Sequence, residues 1–157
     1  MTRIIGFTLL MTFSVAAGAA GVPTVADARV QPDPPSAGTA AAYLTIQGAD
    51  EADRLIGARS TVAGRIYIHM VMKMNGASAT HMMPIASIDV PAHGTVTLAP
   101  DANHLMLTEL TRPLVSGESV VITLMFEHAG AVDVTFPVKD ARSDDHARQQ
   151  SDHNGQH

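Results

Sequence analysis

Apolar and polar residues alternate in short bursts along most of this chain, with Gly, Pro, Asn and Asp between the bursts. A period of two marks a strand with one buried face. Ala41-Ala42-Tyr43-Leu44-Thr45-Ile46 predicts such a strand, ending at Gln47-Gly48-Ala49-Asp50. Asp53 to Ala58 predicts a second. Arg65 to Met72 alternates cleanly, which puts Ile66 and Ile68 on one side and Tyr67 and His69 on the other. Asn75-Gly76 is a hairpin turn signal, after which His81 to Pro84 resumes an extended path. Ile88 to Val90, Gly94 to Leu98, Asn103 to Leu110, Ser119 to Phe126 and Ala131 to Val138 complete the series. Ser119 to Phe126, with Val120-Val121-Ile122, carries the strongest β signal. Gln31-Pro32-Asp33-Pro34-Pro35-Ser36 is excluded from a helix or a central strand, because its prolines lack the N–H donor and fix φ. Many short strands at even spacing predict an all-β fold, an antiparallel sandwich or barrel.

The two ends depart from this pattern. Met1 to Ala20 has one early charge at Arg3, an apolar run from Ile4 to Val15, and small residues at Ala16 to Ala20. That is the layout of a secretory signal peptide, so residues 1–20 are expected to be a targeting segment and the protein to be exported. Ala26-Asp27-Ala28 also resembles a cleavage site, but a cut there would remove the start of the first strand. Residues 139–157 carry Asp, Ser, Arg, Gln and His with no large apolar side chain, and are expected to form a flexible tail. The β-sandwich domain is therefore placed over residues 21–138.

Composition narrows the chemistry. A formal net charge of −5 argues against a nucleic-acid binder, which needs a basic face. The absence of cysteine removes thiolate metal sites, disulfides and thiol nucleophiles together. No nucleophile–base pairing, phosphate loop or paired-carboxylate pattern indicates an enzyme. Nine Met and eight His remain, and they cluster: His69-Met70 followed by Met72 and Met74, then His81-Met82-Met83, then His104-Leu105-Met106. His104 and Met106, two apart on a strand, would point to one face. The first two clusters flank a hairpin turn and would meet across paired strands. Neutral thioether with imidazole selects Cu(I) over harder ions, and a blue-copper centre would need the missing thiolate. Thioethers also survive in an oxidising compartment, where thiols are lost to disulfides.

Residues in this order resemble the periplasmic copper chaperones called PCu(A)C: Ala41-Ala42-Tyr43-Leu44-Thr45-Ile46, His69, Met82-Met83-Pro84, His104-Leu105-Met106-Leu107, Arg112-Pro113-Leu114 and Phe126-Glu127-His128-Ala129-Gly130. The likeness runs from about Val25 to Val138. Its most specific part is His104-x-Met106 with twenty-one residues intervening between Met82 and His104. The resemblance implies a cupredoxin-like, Greek-key β-sandwich with Cu(I) ligands at His69, Met82, His104 and Met106. It further implies delivery of copper to the CuA centre of cytochrome c oxidase, with the CuA subunit or a Sco-type protein as partner, in the periplasm. Two departures stand out. Twelve residues separate His69 from Met82, slightly more than the family pattern, which leaves Met70 or Met83 as substitutes for Met82. Arg29 stands where the family often has Trp, a change expected to touch the core rather than the site. In the tail, His146, His153 and His157 form a secondary candidate, whose imidazoles among carboxylates would favour Cu(II). His93 and His128 lack a Met partner and are expected at the surface. The competing expectation is a metal-free secreted structural or adhesion sandwich.

Overall fold

The computed structural model describes residues 21–34, 37–73 and 80–140. Ten strands account for most of them: β1 Thr24–Pro32, β2 Ala40–Gln47, β3 Asp53–Arg59, β4 Ala63–Lys73, β5 Thr80–Ile85, β6 Ile88–Val90, β7 Thr95–Leu98, β8 His104–Leu110, β9 Ser119–Phe126 and β10 Gly130–Pro137. They form two antiparallel sheets in a cupredoxin-like sandwich. One runs β1-β2-β8-β4-β5 with β7 also paired to β2; the other runs β10-β9-β3-β6. The predicted signal segment, the Asn75-Gly76 turn and residues 141–157 of the tail lie outside the described residues.

The period of two decides which side chains enter the core. On β9, Val120, Ile122, Leu124 and Phe126 are buried while Val121, between them, is exposed. On β8, Leu105 and Leu107 point inward, and they meet Ala42 and Ala40 of β2 and Ile68 and Ile66 of β4 in register. Leu44, Ile46, Leu55 and Phe136 fill the space between the sheets. Such interdigitated branched side chains contribute roughly 1.5–3 kcal/mol each on full burial. Every second residue of β2, β8 and β4 is thereby committed to the core, and the remaining residues form the outer face of the first sheet.

Two local features set the register of that outer face. In β1 the pairing slips by one residue between Ala26 and Arg29, a β-bulge at which Asp27 takes a left-handed φ of 53°. The slip makes Arg29, rather than Ala28, the partner of Tyr43. Proline also keeps to its allowed place: Pro32 ends β1, an edge strand, opposite Ala40.

Candidate metal centre

A row of side chains crosses the outer face of the first sheet. Arg29 pairs with Tyr43, His104 pairs with His69, and His69 pairs with Pro84. The join between β2 and β8 is made by rings, with Tyr43 edge-on to His104 at 6.1 Å between centroids. The two imidazoles meet edge to face at 5.8 Å. Tyr67 stacks on His69 at 6.1 Å between centroids. One residue pair along, Met106 lies between Ala41 and Tyr67, on the same face as His104 and His69. His69, His104 and Met106 therefore share one face of the sheet with Tyr43 and Tyr67.

The imidazoles are prepared to donate lone pairs. His104 is buried, and its Nδ1 lies 3.2 Å from the Ala102 carbonyl oxygen. A carbonyl only accepts, so the Nδ1–H donates to it and Nε2 is the nitrogen left to face an ion. The Nδ1 of His69 is buried with no hydrogen-bond partner. An orphaned buried nitrogen costs about 1–3 kcal/mol unless something occupies its lone pair, and a metal ion would do so. Burial, then the neighbouring His104, holds the His69 pKa below its ordinary 6.5, so the ring is neutral at neutral pH. Among the described residues, no three His, Cys, Asp or Glu side chains gather closely enough to hold a metal ion. Met106 puts a sulfur-bearing side chain on the same face as these two imidazoles.

Met82 shares this face, because it opposes Val71, which alternates with His69 and Tyr67 on β4. It does not share the focus as closely. Tyr67, opposite Met106, and Val71, opposite Met82, are separated by about 13 Å at ordinary strand rise, and the two methionines sit on strands flanking β4. Met82 is half exposed, and would have to swing inward over His69 to touch a common ion. Met70 and Met83 oppose each other but fall on the other face of the β4–β5 ribbon, away from His69. Neither can replace Met82 in this centre without a change of register, since one residue's slip reverses every side chain. His146, His153 and His157 lie outside the described residues. His93 and His128 are exposed, beside Asp50 and Asp53 respectively.

Arg29 corrects the expectation that this position touches the core. Its guanidinium carbon lies 4.9 Å from the centre of the Tyr43 ring, which in turn contacts His104, so Arg29 belongs to the edge of the centre. Alternation signals Tyr67, two residues before His69. Tyr43 and Arg29 become visible only once the strand order and the bulge are known.

Comparison with known proteins bears on the family and the fold. Residues 23–138 match the family described as "Putative lipoprotein LpqE-like". The "Putative lipoprotein Lxx21020" of Leifsonia xyli subsp. xyli is 35% identical over 86 residues, covering 55% of this chain and 51% of that protein. The chain thus spans about half the length of that curated relative. Among solved structures, the copper-bound PCuAC domain from PmoF2 superposes with a TM-score of 0.63 at 25% identity, covering 78% of this chain and 96% of that one. The Cu(I) form of DR1885 from Deinococcus radiodurans superposes with a TM-score of 0.56 at 34% identity, covering 80% and 83%. The match over nearly the whole sandwich places this chain in the LpqE-like family, built on the fold of the PCuAC domains.

Proposed function

We propose that this protein is an exported copper chaperone that carries Cu(I) on the outer face of its first sheet. The observation that carries the reading is the register pairing of His69 with His104, beside Met106, in a wall of two tyrosines. Two imidazoles and a thioether form a soft donor set, which suits Cu(I) better than zinc or a hard cation. The copper-bound domain from PmoF2 and the Cu(I) form of DR1885 support it by likeness.

Each residue has a separable task. His104, fixed by Ala102 and packed by Tyr43, is the rigid anchor. His69 supplies the second nitrogen and Met106 the first sulfur. Met82, exposed at the sheet edge, is the outer ligand: it engages last on loading and leaves first on transfer. A partner's ligand can then enter where Met82 departs, so the ion passes without being released to water. The recipient in this reading is the CuA centre of cytochrome c oxidase, reached directly or through a Sco-type protein in the periplasm. The role is carriage rather than catalysis.

X-ray absorption on the Cu(I)-loaded protein tests the donor set directly. Two nitrogen and two sulfur neighbours are expected, falling to one sulfur in Met82→Leu. A shell of oxygen and nitrogen alone would refute the reading. In a complementary assay, loaded protein mixed with a CuA-domain acceptor is expected to lose its copper, and retention of the ion would refute the delivery step.

A further inference from the structure

The β4–β5 ribbon carries a second set of soft donors on the face turned away from His69. Ile68 pairs with Ile85, Met70 with Met83, and Met72 with His81, in unbroken register. Directly opposed residues of an antiparallel pair point to the same side, so these six side chains form one stripe. The stripe begins in the core and ends in water. Ile68 is 4% exposed, Met70 is half-buried with Met83 opposite it at 44%, and Met72 is 47% exposed opposite His81. Exposure thus rises along the stripe toward the end of the ribbon away from the core. Three thioethers and one imidazole are held there within a patch two rungs long.

We infer that Met70, Met72, His81 and Met83 form a second Cu(I) site, back to back with the one containing His69. Opposed side chains begin about 4.5–5.5 Å apart and adjacent rungs about 7 Å apart, within reach of flexible methionines closing on one ion. Three thioethers with one imidazole make a soft donor set, which disfavours zinc, calcium and magnesium. Exposure makes this site weaker than the first, because its ligands must be ordered on binding. The identity of the ion rests on the copper reading above, whereas the donors are separate from those of the first centre.

The test is a titration of the full chain with Ag(I), a redox-inert stand-in for Cu(I), following methionine methyl resonances by NMR. In the wild type, the Met106 methyl is expected to move with the first equivalent and those of Met72 and Met83 with a later one. In His104→Ala/Met106→Leu, the Met72 and Met83 shifts are expected to persist. In Met72→Leu/His81→Asn they are expected to disappear at Met83, and the weaker affinity to fall about tenfold or more, while the Met106 step is unchanged. Static Met72 and Met83 methyls, or shifts abolished by the first double variant, would overturn the second site. Shifts at Met72 and Met83 with none at Met106 would instead overturn the first centre and leave the second standing.

Discussion

Met106 separates ligation from packing better than any other residue of the centre. Met and Leu occupy similar volumes, so Met106→Leu is expected to cost less than about 1.5 kcal/mol of stability. Its only chemical loss is the sulfur. Competition against a Cu(I) chelator is expected to show affinity down by about tenfold or more with an unchanged fold by circular dichroism. His104→Ala is a blunter change, because the ring is 2% exposed and its removal leaves a cavity and the Ala102 carbonyl unpaired. That variant is expected to lose Cu(I) binding and also about 1–3 kcal/mol of stability, read by denaturant melts of the apo form. The residues of the centre were unequally legible in the sequence. Tyr67, His69, His104 and Met106 follow from simple alternation, since their inward neighbours Ile68, Leu105 and Leu107 are plainly core. Arg29 was expected at the core because the resembled family often has Trp there, whereas its register opposite Tyr43, just beyond the bulge at Asp27, sets it over the Tyr43 ring.

Among the elements, β3 is secured by a buried carboxylate rather than by apolar packing alone. Asp53 accepts N–H bonds from Arg54 at 2.7 Å and from His128 and Ala129 at 2.9 Å, tying the start of β3 to the β9–β10 turn. Burial pushes its pKa up, but the N–H bonds of His128, Ala129 and Arg54, with the nearby His128 ring, outweigh that and hold it below 3.8. The carboxylate therefore contributes stability above its unfolded pKa, and the contribution is lost as pH falls through the lower folded value. Asp53→Asn is expected to cost about 1–3 kcal/mol near neutral pH, and the gap from wild type should narrow in acid. Denaturant midpoints at the two pH values check this, and a gap independent of pH would contradict it. The strand positions themselves were legible: β6 and β9 fall where their alternation predicts, and β2, β3, β7 and β10 within a residue or so. Their pairing was not. That β8 lies between β2 and β4, which is what joins His104 to His69, depends on how the two sheets share the core, and alternation within one strand is silent on that. Gly48 illustrates the same limit. It reads as an ordinary turn glycine, yet a Cβ there would lie 2.0 Å from the Pro91 carbonyl oxygen. Gly48→Ala is accordingly expected to cost about 1–3 kcal/mol through forced separation of the two segments, measured as a lowered melting temperature.

At the scale of the whole molecule, the last described residues close the sandwich, and this fixes where the tail can be removed. Val138 is 1% exposed and bridges Val30 of β1 as a parallel partner. Its N–H donates to the Glu118 carbonyl at 2.8 Å, and its own carbonyl accepts from Gly117 at 3.0 Å. The Lys139 N–H then donates to Val30 at 2.9 Å, so the strap between the two sheets is complete only with Lys139 in place. β1 also carries Arg29, which reaches the proposed metal centre through Tyr43 and His104. Ending the chain after Lys139 keeps all of these bonds and removes His146, His153 and His157. That protein is expected to keep its melting temperature and its Cu(I) affinity at the first centre, and to take up less Cu(II) than the full chain. Ending it after Pro137 forfeits the Val138 side chain and three backbone bonds, so about 2–5 kcal/mol of stability should go with them. Cu(I) affinity should fall in that shorter chain as β1 loosens. Undiminished Cu(II) uptake after the longer cut would show that the tail imidazoles hold no copper, and equal melting temperatures for the two cuts would show that the strap does not bind the sheets.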